Sequence, residues 1–413
     1  MSKYYKKNKC RICSSQNLEL ILDLGKQPLA NAFIKEEDLK KYENKFPLKL
    51  YLCKNCYLLQ LLDIVDKEFL FKKYLYLTSA SKPIVDHFEK YASDVYKEFL
   101  KDIINPLVIE VGSNDGSLLK EFKKFGVDIL GIEPAENIAK IANDIGIPTK
   151  NVFLNYDIAK KISLQKKASM VIANNVFGHV DDLQEFMKCI KILLEDKGIF
   201  VFEVPYLIDL IQKLEFDTVY HEHLSYFSLT PLMKLMNEFD LEIFDVKKQK
   251  VHGGTIRVFV AGKNNFKITA NLQKLIDFEE KFGVCKLETY KKFSEDVKQL
   301  KKVLQNRLLK YKKAGKTIFG YGAPAKGNVL LNYCNIGTEF LDYILDTTPL
   351  KQGLYTPGMH IPVRSYEICF ERASQQIALL LAWNYEKEII DKESEFIRNG
   401  GKFLVPIPIP RLI

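Results

Sequence analysis

Two Cys-x-x-Cys pairs near the amino terminus, Cys10/Cys13 and Cys53/Cys56, constrain this chain more than any other feature. A hairpin of that spacing points two thiolates at one ion, and two such hairpins complete a tetrahedron. The pairs lie 39 residues apart, within a stretch that reads as short strands and turns up to about residue 72. So small a module has little core of its own, and a bound zinc ion supplies much of its folding energy. Four thiolates leave no open coordination position, so the expected zinc is structural.

The rest of the composition is that of a soluble globular protein, 47% hydrophobic and 27% charged over 413 residues. That length holds two or three domains. No uncharged apolar run is long enough for a membrane span, and the start, Met1 to Lys7, lacks the apolar core of a signal peptide. A cytoplasmic location is expected, where thiols stay reduced and paired cysteines favour zinc over disulfides. Cys189, Cys285, Cys334 and Cys369 are scattered and read as small buried side chains. The net charge of +9 raises the question of a polyanionic partner. The lysines are spread over amphipathic stretches and are not gathered beside aromatics, as a nucleic-acid surface requires. A phosphate-bearing small substrate is expected, with no nucleic acid, no membrane, and a monomer or weak oligomer.

Residues 73–262 alternate between strand and helix patterns. Strands are predicted at Pro106–Val111, Val127–Glu133, Ala168–Ala173 and Gly198–Glu203, with helices at Ser117–Lys124, Glu136–Ile145 and Leu183–Leu194. Such alternation means a parallel sheet covered on both faces. A late strand is predicted over Val251–Val260. Residues 263–312, rich in Lys, Glu, Gln and Leu, read as one or two long connecting helices. Residues 313–413 begin a second, smaller doubly wound unit. Its strands are predicted at Thr317–Gly322, Phe340–Leu345, Ile377–Ala382 and Lys402–Val405, with a helix at Gly327–Cys334. The expected class is α/β: a zinc module, a Rossmann-like domain, a helical connector and a second Rossmann-like domain.

The first predicted strand runs into Glu110-Val-Gly-Ser-Asn-Asp-Gly116. In a doubly wound sheet, ligands bind beyond the carboxyl ends of the strands. Gly112 and Gly116 permit close backbone approach, with Asn114 between them. Glu133, ending the next strand, is positioned to accept from ribose hydroxyls. A dinucleotide and S-adenosylmethionine both fit such a turn. The acidic Glu110 and Asp115 oppose a pyrophosphate and suit the sulfonium and ammonium of S-adenosylmethionine. The third strand ends in Asn174-Asn175-Val-Phe-Gly-His179, which puts polar residues at the donor's methyl end and His179 within reach of an acceptor.

The segment Tyr220-His-Glu-His-Leu-Ser-Tyr-Phe-Ser228 packs two histidines, a glutamate and two tyrosines together. Its spacing matches neither H-E-x-x-H nor H-x-x-E-H, which argues against a metal. Acid–base chemistry suits it better. A histidine titrating near neutrality takes a proton from carbon beside a carbonyl; Glu222 orients or polarises, and Tyr220 holds an enolate oxygen.

In order, the motifs C-x-x-C…C-x-x-C, E-V-G-S-N-D-G, N-N-V-F-G-H, Y-H-E-H-x-x-Y-F-S, His252-Gly-Gly-Thr-Ile-Arg257 and Gly320-Tyr-Gly-Ala-Pro-Ala-Lys-Gly327 span nearly the whole chain. This order resembles the sugar C-methyltransferases that act at C3 of nucleotide-linked 4-keto-6-deoxyhexoses, such as those making tetronitrose. The resemblance implies a zinc-bearing first domain, an S-adenosylmethionine domain, and a last domain that helps hold a nucleotide-diphosphate sugar. It implies a histidine base at His223, with Tyr220, Glu222 and His179 in support and a tyrosine matched by Tyr76. Tyr226, Tyr321, Lys326 and Asp346 are the candidate substrate contacts. Lys326 and backbone N–H groups at a helix start suit a diphosphate, and Asp346 a ribose or base. The competing expectations are an O- or N-methyltransferase on a nucleotide sugar, a zinc-ribbon RNA-modifying protein, and an inactive scaffold that binds only the donor.

Overall fold

The computed structural model describes residues 4–67, 70, 77–249, 251–367 and 372–413. Tyr76 and Cys369 lie outside the described residues.

The amino-terminal module is built on β2 (Leu18–Gln27), β3 (Phe46–Cys53) and β4 (Leu59–Leu61), paired antiparallel, with β1 (Tyr4–Lys6) and β5 (Asp63–Val65) forming a second ribbon. Phe46, Leu48, Leu50 and Leu52 alternate inward along β3, the period of a strand with one buried face. The four-stranded sheet is completed by Ser225–Tyr226, contributed by the central domain.

The central sheet contains β6 (Leu107–Val111), β7 (Asp128–Ile132), β8 (Thr149–Lys150), β9 (Ala168–Ile172) and β10 (Leu194–Pro205). After β11 (Ser225–Tyr226), which leaves for the zinc module, β12 (Leu241–Gln249) and β13 (Thr255–Gly262) complete it. Its order is β12-β13-β10-β9-β6-β7-β8. The strands β6 and β9 are buried throughout, as unbroken apolar runs must be when helices cover both faces. The expectation of a parallel sheet holds for five strands; β12 and β13 are antiparallel additions. The late strand starts at Thr255 instead of Val251, because Gly253 and Gly254 take φ of +95° and +141° and break the extended backbone. Strand order reverses between β6 and β9, which opens a crevice at their carboxyl ends.

Two connecting helices follow, Ala270–Phe282 and Leu287–Lys313. Thr269 caps the first and Gly283, at φ +87°, ends it. Leu300, Leu304 and Leu308 recur every fourth residue and pack into a core shared by the zinc-module sheet and the last domain. That domain has a six-stranded sheet, β16-β15-β14-β17-β18-β19, built from β14 (Thr317–Tyr321), β15 (Ile344–Asp346), β16 (Val363–Ser365), β17 (Gln376–Leu380), β18 (Lys402–Val405) and β19 (Arg411–Leu412). The strand β15 is shorter than its apolar pattern because the amides of Phe340 and Leu341 turn back to the Gly337 carbonyl. Among the described residues, no helix is long and apolar enough to cross a membrane.

Candidate active site

The two cysteine hairpins are built alike. In the first, the Cys10 amide donates to Ser15 O (2.9 Å) and the Ser14 amide to Cys10 O (3.1 Å). In the second, Cys53 donates to Leu58 O (2.9 Å) and Tyr57 to Cys53 O (2.8 Å). Each turn closes on a left-handed residue, Ser14 (φ +55°) or Tyr57 (φ +62°). Across the hairpins Cys10 Sγ lies 3.4 Å from Cys56 Sγ, and Cys13 Sγ lies 3.5 Å from Cys53 Sγ. All four sulfurs lie within 4.8 Å of one another. Zinc–sulfur bonds of about 2.3 Å give a tetrahedron edge of about 3.8 Å, so the donor set fits zinc. These separations far exceed a disulfide bond of about 2.05 Å.

At the crevice, Gly112 has φ +67°, and a Cβ there would lie 2.2 Å from Val176 Cγ2. Asn114 and Gly116 are also left-handed. The Glu133 carboxylate accepts from the amides of Asn114 (3.0 Å) and Ala135 (2.8 Å), tying the turn to the second strand. Residues 78–79 lie over the turn, with the Thr78 amide donating to Asn114 Oδ1 (3.0 Å) and Ser79 to Asp115 Oδ2 (2.9 Å). Asn174 Oδ1 accepts from the Glu203 amide (3.1 Å), and the Asn175 amide donates to Glu203 O (2.8 Å). Glu110 Oε2, Ser113 Oγ and Asn174 Nδ2 are buried and have no hydrogen-bond partner among the described residues. Orphaned donors and acceptors at the ends of β6 and β9 are what a polar ligand would satisfy. Burial, with Asp115 and Glu133 close by, pushes the Glu110 carboxyl well above its ordinary range. A cationic ligand beside it would reverse that shift, so the cradle fits S-adenosylmethionine.

Beside the crevice two imidazoles stack, with the His179 and His223 rings 5.1 Å apart and 18° from parallel. The Tyr220 ring lies 4.0 Å from that of His223, and Tyr226 stands edge-on at 6.5 Å. His223 Nδ1 lies 2.8 Å from the Thr218 carbonyl. A carbonyl only accepts, so Nδ1 carries the proton and the basic lone pair belongs to Nε2. Burial, and His223 next to it, push His179 down to about 3, so it is a neutral ring. His221 turns the other way, edge-on to Phe46 at 5.9 Å. Glu222 is buried and accepts from Asn31 Nδ2 at 2.8 Å; burial pushes its carboxyl up to about 7. Among the described residues, the four cysteines are the only group of three or more potential metal ligands.

The zinc module seats both histidine loops. The strand β11 pairs with β4, Ser225 opposite Gln60, and Leu61 N donates to Leu224 O (2.9 Å). Leu224 N then donates to Gly178 O (2.8 Å), joining the loop of His179 to that of His223. Arg11, inside the first cysteine hairpin, is buried; it bonds Gln60 and the Leu61 carbonyl and pairs with Asp181 at 3.2 Å. Asp181 also pairs with Lys7 at 2.9 Å.

Three family models match the chain in series: a zinc binding domain over residues 10–71, a methyltransferase domain over 85–246 and a C-methyltransferase C-terminal domain over 250–408. C-methyltransferase NovU of Streptomyces niveus is 36% identical over 408 residues, covering 98% of this chain and 97% of NovU. The chain belongs to the C-methyltransferase family. Among solved structures, magnesium protoporphyrin IX methyltransferase from Synechocystis PCC 6803 is 13% identical, covering 43% of this chain and 83% of its own, with TM-score 0.34. The plantazolicin methyltransferase BpumL is 12% identical, covering 45% of this chain and 88% of its own, with TM-score 0.35.

The C-methyltransferase gathers most of its sequence-predicted site residues. Glu110, Gly112, Asn114, Asp115 and Gly116 stand at the end of β6, Glu133 at the end of β7 and Asn174 and Asn175 at the end of β9, while His179, His223, Tyr220 and Tyr226 form one ring cluster. The second Gly loop differs. The Tyr321 hydroxyl donates to Glu393 (2.8 Å) inside the last domain. Asp346 accepts from the amides of Ala323 (2.6 Å) and Thr348 (2.7 Å). Lys326 lies over the Trp383 ring at 4.0 Å and faces Asp217 and Glu215 of the central domain. Arg11, Asn31, Asp181 and Thr218 escaped sequence reasoning. Arg11, Asn31 and Asp181 act through contacts with distant segments, and Thr218 acts through its backbone carbonyl, which leaves no side-chain signature.

Proposed function

We propose that the enzyme transfers the methyl group of S-adenosylmethionine to C3 of a nucleotide-linked 4-keto-deoxysugar, with His223 as the base. The observation that carries this reading is the hydrogen bond of His223 Nδ1 to Thr218 O, which directs a basic Nε2 lone pair beside a neutral His179 and Tyr220. A 4-keto group acidifies the C3–H bond. Nε2 takes that proton, and the electron pair moves onto the ketone oxygen as an enolate. Tyr220 and neutral His179 are hydrogen-bond donors suited to that oxygen, and Glu222, with its raised carboxyl, supports it in its protonated form. The enolate carbon then takes the methyl group in line as the carbon–sulfur bond breaks, leaving a neutral thioether. The donor cradle is the crevice of Glu110, Gly112, Asp115, Glu133 and Asn174. Tyr226 is assigned to the sugar nucleotide, and Tyr76 to the acceptor.

The test is His223→Asn, assayed with labelled donor and a panel of 4-keto nucleotide sugars. Turnover and deuterium exchange at C3 are both expected to fall by about 100-fold or more. Wild-type values for both would remove His223 as base, and a new methyl found on oxygen or nitrogen would replace the C3 assignment.

A further inference from the structure

The loop that leaves β2 runs Pro28-Leu-Ala-Asn31. Two side-chain amides make it a junction of all three domains. Asn31 Nδ2 donates to Glu222 Oε1 at 2.8 Å. One residue earlier, the Ala30 carbonyl accepts from Asn328 Nδ2 at 2.7 Å. Ala30, Glu222 and Asn328 are 4%, 4% and 2% exposed, so the acceptor of each bond belongs to a buried residue. Asn328 stands in the first turn of the helix Ala325–Cys334, two residues beyond Lys326 in the second Gly loop. A paired bridge between Ile34 and Tyr355 pins the far end of the same loop to the last domain.

A buried carboxyl with a single amide donor takes its orientation from that donor, and loss of the donor strands a buried acceptor. We infer that Asn31 is a positioning residue for Glu222, and that Asn328 sets Asn31 by holding the Ala30 carbonyl. The helix of the nucleotide-side domain thereby fixes a carboxyl in the active segment through a loop of the zinc module. This inference rests on the role proposed for Glu222. Its surroundings are simple: burial is the main influence on the carboxyl and Asn31 the second. The flanking imidazoles of His221 and His223 face Phe46 and His179.

The experiment is a cycle of Asn31→Ala, Glu222→Gln and the double variant, with Asn328→Ala beside it, each checked for zinc content and Tm. Asn31→Ala should lower kcat roughly tenfold, with the donor KM within about twofold of wild type. In the Glu222→Gln background the same change should alter kcat by less than about twofold, because its route of action is gone. Asn328→Ala should act in the same direction more weakly and add nothing to Asn31→Ala. Wild-type kcat in Asn31→Ala, or an equal loss in both backgrounds, overturns the inference. A second readout needs no sugar substrate: the Glu222 carboxyl, followed by 13C NMR with Glu222→Gln as assignment control, should titrate at higher pH in Asn31→Ala. An unmoved midpoint overturns the inference even where kcat falls through misfolding. If wild-type enzyme methylates no keto sugar but the midpoint moves, the function proposed above fails and the Asn31–Glu222 link stands.

Discussion

The two Gly loops of this chain start from one local design and end in different uses. In each, an acid closing the second strand accepts from an amide of the loop and from the amide two residues beyond itself: Asn114 and Ala135 for Glu133, Ala323 and Thr348 for Asp346. Beyond that shared brace they diverge. Around the first loop Glu110, Ser113 and Asn174 keep buried polar atoms with no partner among the described residues. The second is docked on the central domain, with Lys326 over the Trp383 ring and Trp383 Nε1 donating to Asp217 at 2.7 Å. A Gly turn after a strand therefore marks where backbone can approach something closely. The two turns differ in what approaches them: residues 78–79 of its own domain lie over the first, and the second faces Asp217 of the central domain.

Stripping the zinc should separate the two halves of the site most strongly. Turnover is expected to fall more than about 1,000-fold, because both histidine loops sit on the module, while donor affinity, assigned above to the crevice of the central sheet, should change less than about fivefold. Calorimetric titration of donor into chelated enzyme checks this; equal loss of both would tie the first loop to the module. Next comes Gly112→Val, whose side chain meets Val176 at a left-handed position. Donor Kd should rise by about 100-fold. The matching Gly322→Val, with φ +81° and Ala382 Cβ at 2.8 Å, should lower Tm and leave the donor Kd of the folded protein intact. If Gly322→Val weakens donor binding and spares Tm, the contrast between the loops is wrong.

Lys326→Met should have a smaller effect, about 2 kcal/mol of stability, because two buried carboxyls lose the cation opposite them. Denaturant unfolding measures it, and an unchanged midpoint would free Lys326 from its docking role. The smallest effect belongs to Asp217, whose carboxyl burial pushes up to about 6 from its ordinary 3.8. The folded state then holds a proton that the unfolded chain releases. That contribution to stability is complete below about pH 4 and is lost as pH rises through 6. Asp217→Asn should flatten the fall in Tm between pH 4 and 6, and a slope identical to wild type would rule the group out.

Spacing and pattern carried much of this protein. The cysteine pairs declare a tetrahedral site, because four sulfurs on two tight turns have few other uses. The apolar runs at Leu107–Val111 and Ala168–Ile172 declare buried parallel strands, and the glycines and acids after them declare a crevice. These are local properties, set by backbone sterics and by side-chain periodicity over a few residues. Asn31 and Glu222 stand 191 residues apart, and Asn328 and Ala30 stand 298 apart. The pairing of Ser225 with Gln60, the opposite facing of His221 and His223, and the approach of Lys326 to Asp217 are of the same kind. Only tertiary structure decided them, because each depends on which buried polar group finds its partner once distant segments share one core.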